Sequence, residues 1–198
     1  MLIEIHSNTS EHSYCSYISA VDLVSLVYQR GASGIVLTDH HFLWSDRELQ
    51  ILRAKCKVPR DFLIMSGQEV FTSDFGDVLV YGANESINYR VTLSAIRRKF
   101  PEAAIVWAHP YRSGLIPSEI ELFNSALDAI EIINQHQKDH ENLRGISDWK
   151  TWGFTATSGT DIHGDDIDVF YPTDFVGSID GLNGLVDCIR GGNCKPTH

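Results

Sequence analysis

Gly34-Ile35-Val36-Leu37-Thr38-Asp39-His40-His41 is an apolar run that empties directly into an acid and two imidazoles. Its unbroken aliphatic stretch reads as a strand covered on both faces, because a strand with one wet face alternates apolar and polar residues. Just upstream, a segment of helical period over about Ser19 to Arg30 is stopped by Gly31 and Gly34, glycine being suited to the left-handed cap. Helix, glycine stop, buried strand and polar strand end form one βα step of a parallel sheet or barrel.

Working outward, the same step recurs. Leu2 to His6 is an earlier strand. Helical spacing over Asp46 to Cys56 precedes a strand at Phe62 to Met65 that delivers Gly67-Gln68-Glu69. Val70-Phe71 and Val78 to Tyr81 flank the turn residues Ser73 to Gly76, a hairpin pattern. A helix over Val91 to Lys99 leads to the strand Ala104 to Trp107, which opens into Ala108-His109-Pro110. A helix at Glu119 to Ser125 precedes the strand Ala129 to Ile133, ending at Asn134. A helix around Asp139 to Trp149 precedes the strand Phe154 to Thr157, which opens into Gly159-Thr160-Asp161-Ile162-His163. A short strand near Phe175-Val176 and a helix over Leu182 to Arg190 complete the pattern. The fold class is α/β, and residues 1–198 are expected to form a single domain, a size at which one core buries most of its apolar surface.

Composition narrows the chemistry. Lys and Arg total 16 against 26 Asp and Glu, a formal net charge of −10. Without a basic surface, a role on duplex nucleic acid is not expected, although bound cations would still let an acidic protein handle phosphates. Cys15, Cys56, Cys188 and Cys194 form no C-x-x-C pair, no signal peptide is visible, and no apolar run approaches a membrane span. A cytoplasmic protein with free thiols and no membrane association is the expectation.

Four strands end at metal-competent residues: His6, Asp39 with His40, His109, and Asp161 with His163. Glu69 follows a fifth. Singly, a strand-end His is an ordinary loop residue, Asp39 and Asp161 are ordinary helix caps, and Glu69 is a solvated turn residue. Jointly they point to metal, because the C-terminal ends of parallel barrel strands lie on one face. The imidazole and carboxylate set suits Zn, Mn or Fe.

Glu4-Ile5-His6-Ser7-Asn8-Thr9, Thr38-Asp39-His40, Gly67-Gln68-Glu69, Ala108-His109-Pro110, Glu131 to Asn134 and Gly159 to His163 resemble, in order, the motifs of the PHP (polymerase and histidinol phosphatase) superfamily. The resemblance spans nearly the whole chain, and Ile189 to Gly192 is similar to the family's last helix. It implies a distorted (β/α)7 barrel with the metal site at the C-terminal ends of the strands, two or three divalent ions and phosphoesterase activity. By motif it implies His6, His40, Glu69, His109, Asp161 and His163 as ligands, with Asp39 beside them as a supporting or catalytic group. The sequence departs from the pattern at Asn8, where the family has a second His; an amide oxygen there would be a weaker ligand for softer metals. Asp77 stands where many members carry His. A common acidic residue of the first loop is missing, with His12 or Cys15 in its neighbourhood.

Ions so held would lower the pKa of a bound water from 15.7 toward about 7 and offset charge on the phosphoryl oxygens. Arg112 would grip phosphate in a forked geometry or else be a surface Arg, and His163 or Asp39 would relay a proton. His136 and His140, at i and i+4, read more simply as a solvated helix start than as a metal pair, and Asp165, Asp166 and Asp168 as a polar loop. Trp107, Trp149 and Trp152 read as packing residues. The expected substrate is a small phosphate ester or nucleotide. Two alternatives stay open: a degenerate PHP-like module that binds without turnover, and a metal-dependent amidohydrolase.

Overall fold

In the computed structural model, which describes residues 1–165 and 167–198, the strands form one nine-stranded sheet curled into a barrel-like shape. The elements run β1 (Leu2–Glu4), α1 (Ala20–Gln29), β2 (Gly34–Leu37), α2 (Asp46–Lys55), β3 (Leu63–Thr72), β4 (Gly76–Tyr81) and α3 (Leu93–Lys99). They continue with β5 (Ala104–Trp107), α4 (Glu119–Leu122), β6 (Ala129–Asn134), α5 (Asp139–Trp152), β7 (Ala156–Gly159), β8 (Thr173–Phe175), α6 (Leu182–Arg190) and β9 (Cys194–Pro196). The order across the sheet is β7-β6-β5-β4-β3-β2-β1-β8-β9.

The continuous apolar runs hide a period of two. In β2, β4, β5 and β6 alternate residues (Val36; Leu79 and Tyr81; Ala104 and Val106; Ala129) pack into the barrel core with Ile3, Ile5, Met65 and Phe175. Ile35 and Leu37 face α1 and α2, whereas Val78, Val80, Ile105, Trp107, Ile130 and Ile132 face the helices on the other flank. Both sets are apolar because both faces are covered. The apolar side of α6 (Leu185, Val186, Ile189) joins the barrel core at its lower end, against Ala104 and Ala129.

The sheet ends close on each other in two ways. Beyond β1 and β7 the backbones bond directly, Asp161 N–H to the His6 carbonyl at 2.8 Å and Asn8 N–H to the Ile162 carbonyl at 3.0 Å. Lower down, β8 lies antiparallel to β1, and its Thr173 hydroxyl donates to the Ser158 carbonyl of β7 at 2.6 Å. A strict (β/α)7 repeat is not what forms. No helix separates β3 from β4, and β4 is antiparallel to both β3 and β5. The reason is local: Ser73 to Phe75 with Gly76 at φ 70° make a tight turn that returns the chain at once. As a result Glu69 stands in the middle of β3, not after its end; separately, the strand expected at Phe154 to Thr157 forms at Ala156–Gly159.

Helix starts follow the capping chemistry of the sequence. Ser45 with Glu48 and Ser118 with Glu121 form reciprocal capping boxes, and Ser19 and Thr92 cap α1 and α3. Trp107 is buried, but Trp152 is 43% exposed and packs less than expected. No helix among the described residues is long and apolar enough to cross a membrane. Asp165 and Asp168 are exposed as a polar loop predicts; Asp166 lies outside the described residues.

Candidate metal centre

Strand ends and one strand middle converge at the upper mouth of the barrel. His6, fully buried, is the centre of the arrangement. Its Nδ1 lies 2.9 Å from Glu131 Oε1 on β6, while its Nε2 sits 3.2 Å from Asp161 Oδ1 and 3.3 Å from Glu69 Oε2. With Nδ1 engaged by Glu131, the buried Nε2 makes no hydrogen bond although two carboxylate oxygens face it. A buried ring nitrogen facing two carboxylate oxygens is resolved by a proton or by a cation at that spot.

Glu69 offers its two oxygens in different directions. Oε1 lies 3.3 Å from His109 Nε2, and Oε2 lies 3.4 Å from His40 Nε2 as well as facing His6. The His6 and His109 rings stack with centroids 5.6 Å apart. Four groups of donor atoms each fall within 4.8 Å: His6, His109 and Asp161; Glu69, Asp77 and His109; His136, Asp161 and His163; Cys15, His40 and His163. Imidazoles and carboxylates so placed fit divalent ions. Of the motif residues, the structure therefore brings together His6, His40, Glu69, His109, Asp161 and His163.

Burial opposes charge on His6, His109, Glu69 and Asp161, and their neighbours overrule it. Burial would keep His6 neutral, but Asp161, Glu131 and Glu69 hold it well above its usual range, and His109 is raised by Glu69 and Asp161 in the same way. Burial would protonate Glu69, but His6, His109 and His40 hold it well below the carboxylate range. Asp161 is lowered against burial by His6. Asp77, whose own pKa is raised by burial and by Glu69, stays on the margin of the cluster. Beneath the site, Glu4 is fully buried and burial pushes it up to about 8, against hydrogen bonds from Thr160 and the His6 N–H.

Other expected residues are placed differently. Asn8 turns its amide nitrogen to the cluster, 3.3 Å from Glu69 Oε2 and 3.5 Å from Asp161 Oδ1, and its oxygen to Ser13 Oγ at 2.9 Å. The Ser13 hydroxyl has one proton, which its 2.6 Å contact with Asp39 takes, so the hydrogen bonds do not fix which end of the Asn8 amide faces Glu69 and Asp161. Asp39 is fully buried and its oxygens accept from Thr9 N–H, Thr9 Oγ1, Ser13 Oγ and Trp44 Nε1 at 2.6 to 3.0 Å. A carboxylate so saturated holds its loop in place and has little capacity to relay a proton. His12 stacks on Phe42, centroids 3.5 Å apart, outside the cluster.

His136, read from the sequence as solvated, is exposed but bonds through Nε2 to the Asp161 carbonyl at 2.9 Å and stands edge-on to His163. Its i+4 neighbour His140 instead lines a cavity of about 410 Å³ with Arg112, His136, Lys138 and Glu141. Arg112, exposed on a short 3-10 turn (Arg112–Gly114), also borders a second cavity of about 360 Å³ that reaches His109 and Asp77. Glu131, which positions both His6 and the His109 N–H, carries a role the sequence reading left unassigned.

No family model and no curated protein sequence matches the chain. Solved structures do. A two-domain protein from Bacteroides vulgatus containing a predicted PHP-like metal-dependent phosphoesterase superimposes with a TM-score of 0.72 at 17% identity, covering 100% of this chain and 64% of that one. An amidohydrolase from Chromobacterium violaceum, with bound sulfate and no metal, gives 0.63 at 14% over 88% and 92%. Endonuclease Q in complex with a 27-mer duplex substrate gives 0.60 at 14% over 98% and 57%. The chain thus spans under two thirds of the first and third of these proteins. At such identities the likeness establishes the fold, that of PHP-like metal-dependent phosphoesterases. It also corrects the expectation that net charge removes duplex nucleic acid from consideration. Endonuclease Q, 57% of which this chain covers, is complexed with a duplex, and a whole-chain charge of −10 does not describe the local field at a site.

Proposed function

We propose that the chain is a PHP-superfamily hydrolase of phosphoric ester bonds that works with two or three divalent ions. The observation carrying this reading is the His6 Nε2 atom, buried without a hydrogen-bond partner between Glu69 and Asp161 oxygens while Glu131 fixes the ring from behind. Ions bound there supply Lewis acidity and a water acidic enough to attack at neutral pH. His6, Asp161, Glu69, His109, His40 and His163 would hold them, with Glu69 shared between two positions because its oxygens face different histidines. Zinc, manganese and iron all suit this donor set.

The choice of phosphate over amide rests on the mouth of the site. Arg112 and Lys138 line one cavity beside the cluster with His136, His140 and the single acid Glu141, two basic side chains against one carboxylate on an otherwise acidic chain. Arg112 would grip an anionic oxygen by its planar fork, and His163, whose Nδ1 lies 2.8 Å from the Asp161 carbonyl, is steered by that bond. Small phosphate esters and nucleotide phosphates fit such a rim.

The test is phosphate release from phosphomonoesters, nucleotides and an oligonucleotide duplex with an abasic site, with Mn²⁺ or Zn²⁺, alongside an amide panel. Metal-dependent phosphoester cleavage lost in His40→Ala supports the proposal. Cleavage confined to amides sinks it in favour of an amidohydrolase, and tight binding of phosphate compounds with no turnover identifies a binding module.

A further inference from the structure

The loop joining β1 to α1 brings one thiol beside two histidines of the site. Cys15 is half-buried, and its Sγ and ring nitrogens of His40 and His163 all lie within 4.8 Å of one another. The loop is anchored on both sides of the thiol. Before it, Ser13 Oγ accepts the His40 N–H at 3.1 Å. After it, Ser16 Oγ and the Tyr17 N–H donate to the His163 carbonyl at 3.3 and 2.8 Å. The backbone is thus tied to the same two residues whose imidazoles the sulfur faces, by bonds in which the sulfur takes no part. On the far side of the trio, His40 Nε2 faces Glu69 and His163 Nδ1 faces Asp161, so it adjoins the rest of the cluster.

We propose that Cys15 is a metal ligand, its thiolate joining His40 and His163 to hold one ion of the cluster. The inference rests on the metal-binding part of the reading above and is independent of which bond is hydrolysed. On binding, the thiol passes its proton to solvent and the sulfur donates the lone pair so exposed. Sulfur with two imidazoles favours zinc, cobalt or ferrous iron over magnesium or manganese. The opposite end of the cluster, where His6 and His109 share Asp161 and Glu69, offers only nitrogen and oxygen. The cluster therefore has a soft end and a hard end.

The experiment uses the full chain, stripped with a chelator and titrated with Co²⁺. Cobalt is counted by equilibrium dialysis and the sulfur-to-cobalt charge-transfer band is followed in the near ultraviolet. Wild type is expected to show the band. Cys15→Ser is expected to lack it and to bind one ion fewer, or that ion at least roughly tenfold more weakly, since even the partners behind a ligand change affinity by 10–100-fold. Cys15→Asp is expected to restore the ion without the band. Cys56, Cys188 and Cys194, packed against apolar core, serve as internal controls. Cobalt bound without a band, or a band surviving in Cys15→Ser, overturns the assignment and leaves the metal centre standing; no cobalt uptake at all overturns both.

Discussion

Gly159 is the sharpest probe of how the site is assembled. A Cβ at this position would lie 2.1 Å from Glu131 Oε1 and 2.6 Å from the His6 Cβ, where ordinary contact begins near 3.4 Å. Glu131 cannot swing into solvent, because it is fully buried and holds His6 Nδ1, the His109 N–H and Asn134 Nδ2. Gly159→Ala must push the carboxylate back by more than an ångström and break its 2.9 Å bond to His6. Overpacking of a tight core costs about 1–3 kcal/mol and a lost hydrogen bond to a charged group about 1.5–3 kcal/mol, so the variant should lose about 2.5–6 kcal/mol. That is a large share of the ~5–15 kcal/mol that holds a domain together. Urea unfolding in chelator would measure it, with zinc competition titration reporting the ligand. In a Glu131→Ala background only the His6 contact remains, and the same substitution should cost at least about 1 kcal/mol less. A loss below ~1 kcal/mol with unchanged zinc affinity would refute the claim that Gly159 makes room for the Glu131–His6 pair.

Glu131→Gln keeps the shape and removes the charge behind His6; zinc affinity should fall by about 10–100-fold in competition titration, and unchanged affinity would count against the supporting role of Glu131. Asp39→Asn should cost about 2–4 kcal/mol in urea unfolding, because an amide offers one oxygen to donors that now share two, whereas a proton relay would leave stability intact and shift the pH–rate profile instead. Without metal, stability should peak at about pH 4.5 to 5, because Glu4, pushed up to about 8, lends stability that is lost from its ordinary value upward. His6 and His109, raised above 6.5, lend stability that is lost as pH climbs through their folded values; Glu69 and Asp161, lowered below 4.5 and 3.8, lend stability that is lost as pH falls through theirs. Thermal melts in chelator across pH 4 to 9 check this, and zinc should reduce the alkaline decline; melts that rise steadily to pH 9 in chelator would contradict the shifts.

The positions of most strands up to β7 and the polar residues that close them were legible because each buried strand is a short aliphatic run closed by a polar residue, as at Val36 to His40 and Ile105 to His109. The direction of β4 was less so. A hairpin was readable from Ser73 to Gly76, but that β4 also runs antiparallel to β5 depends on tertiary closure that no local pattern carries. β9 went unseen because Cys194–Pro196 is three residues without alternation. Glu131 was read within a motif but given no role; strand alternation points it inward with Ala129, and its pairing with His6, 125 residues away, is set by tertiary structure. The surroundings of the Asn8 amide were equally unreadable, since Ser13, Glu69 and Asp161 meet it only in the fold.

His109 and Asp161 sit at φ 32° and 59°, and His41, next in sequence to His40, at 55°. Such backbone conformations cost on the order of 1–3 kcal/mol each in residues other than glycine, and here they coincide with crowded carboxylates. An ion that binds the folded chain and not the unfolded one repays this through mass action. The lifetime of the protein in a cell would then depend on metal supply, since a change of about 1–2 kcal/mol alters the population exposed to proteases several-fold. Starvation for the ion would remove the polypeptide itself, and its abundance would serve as a gauge of the metal pool.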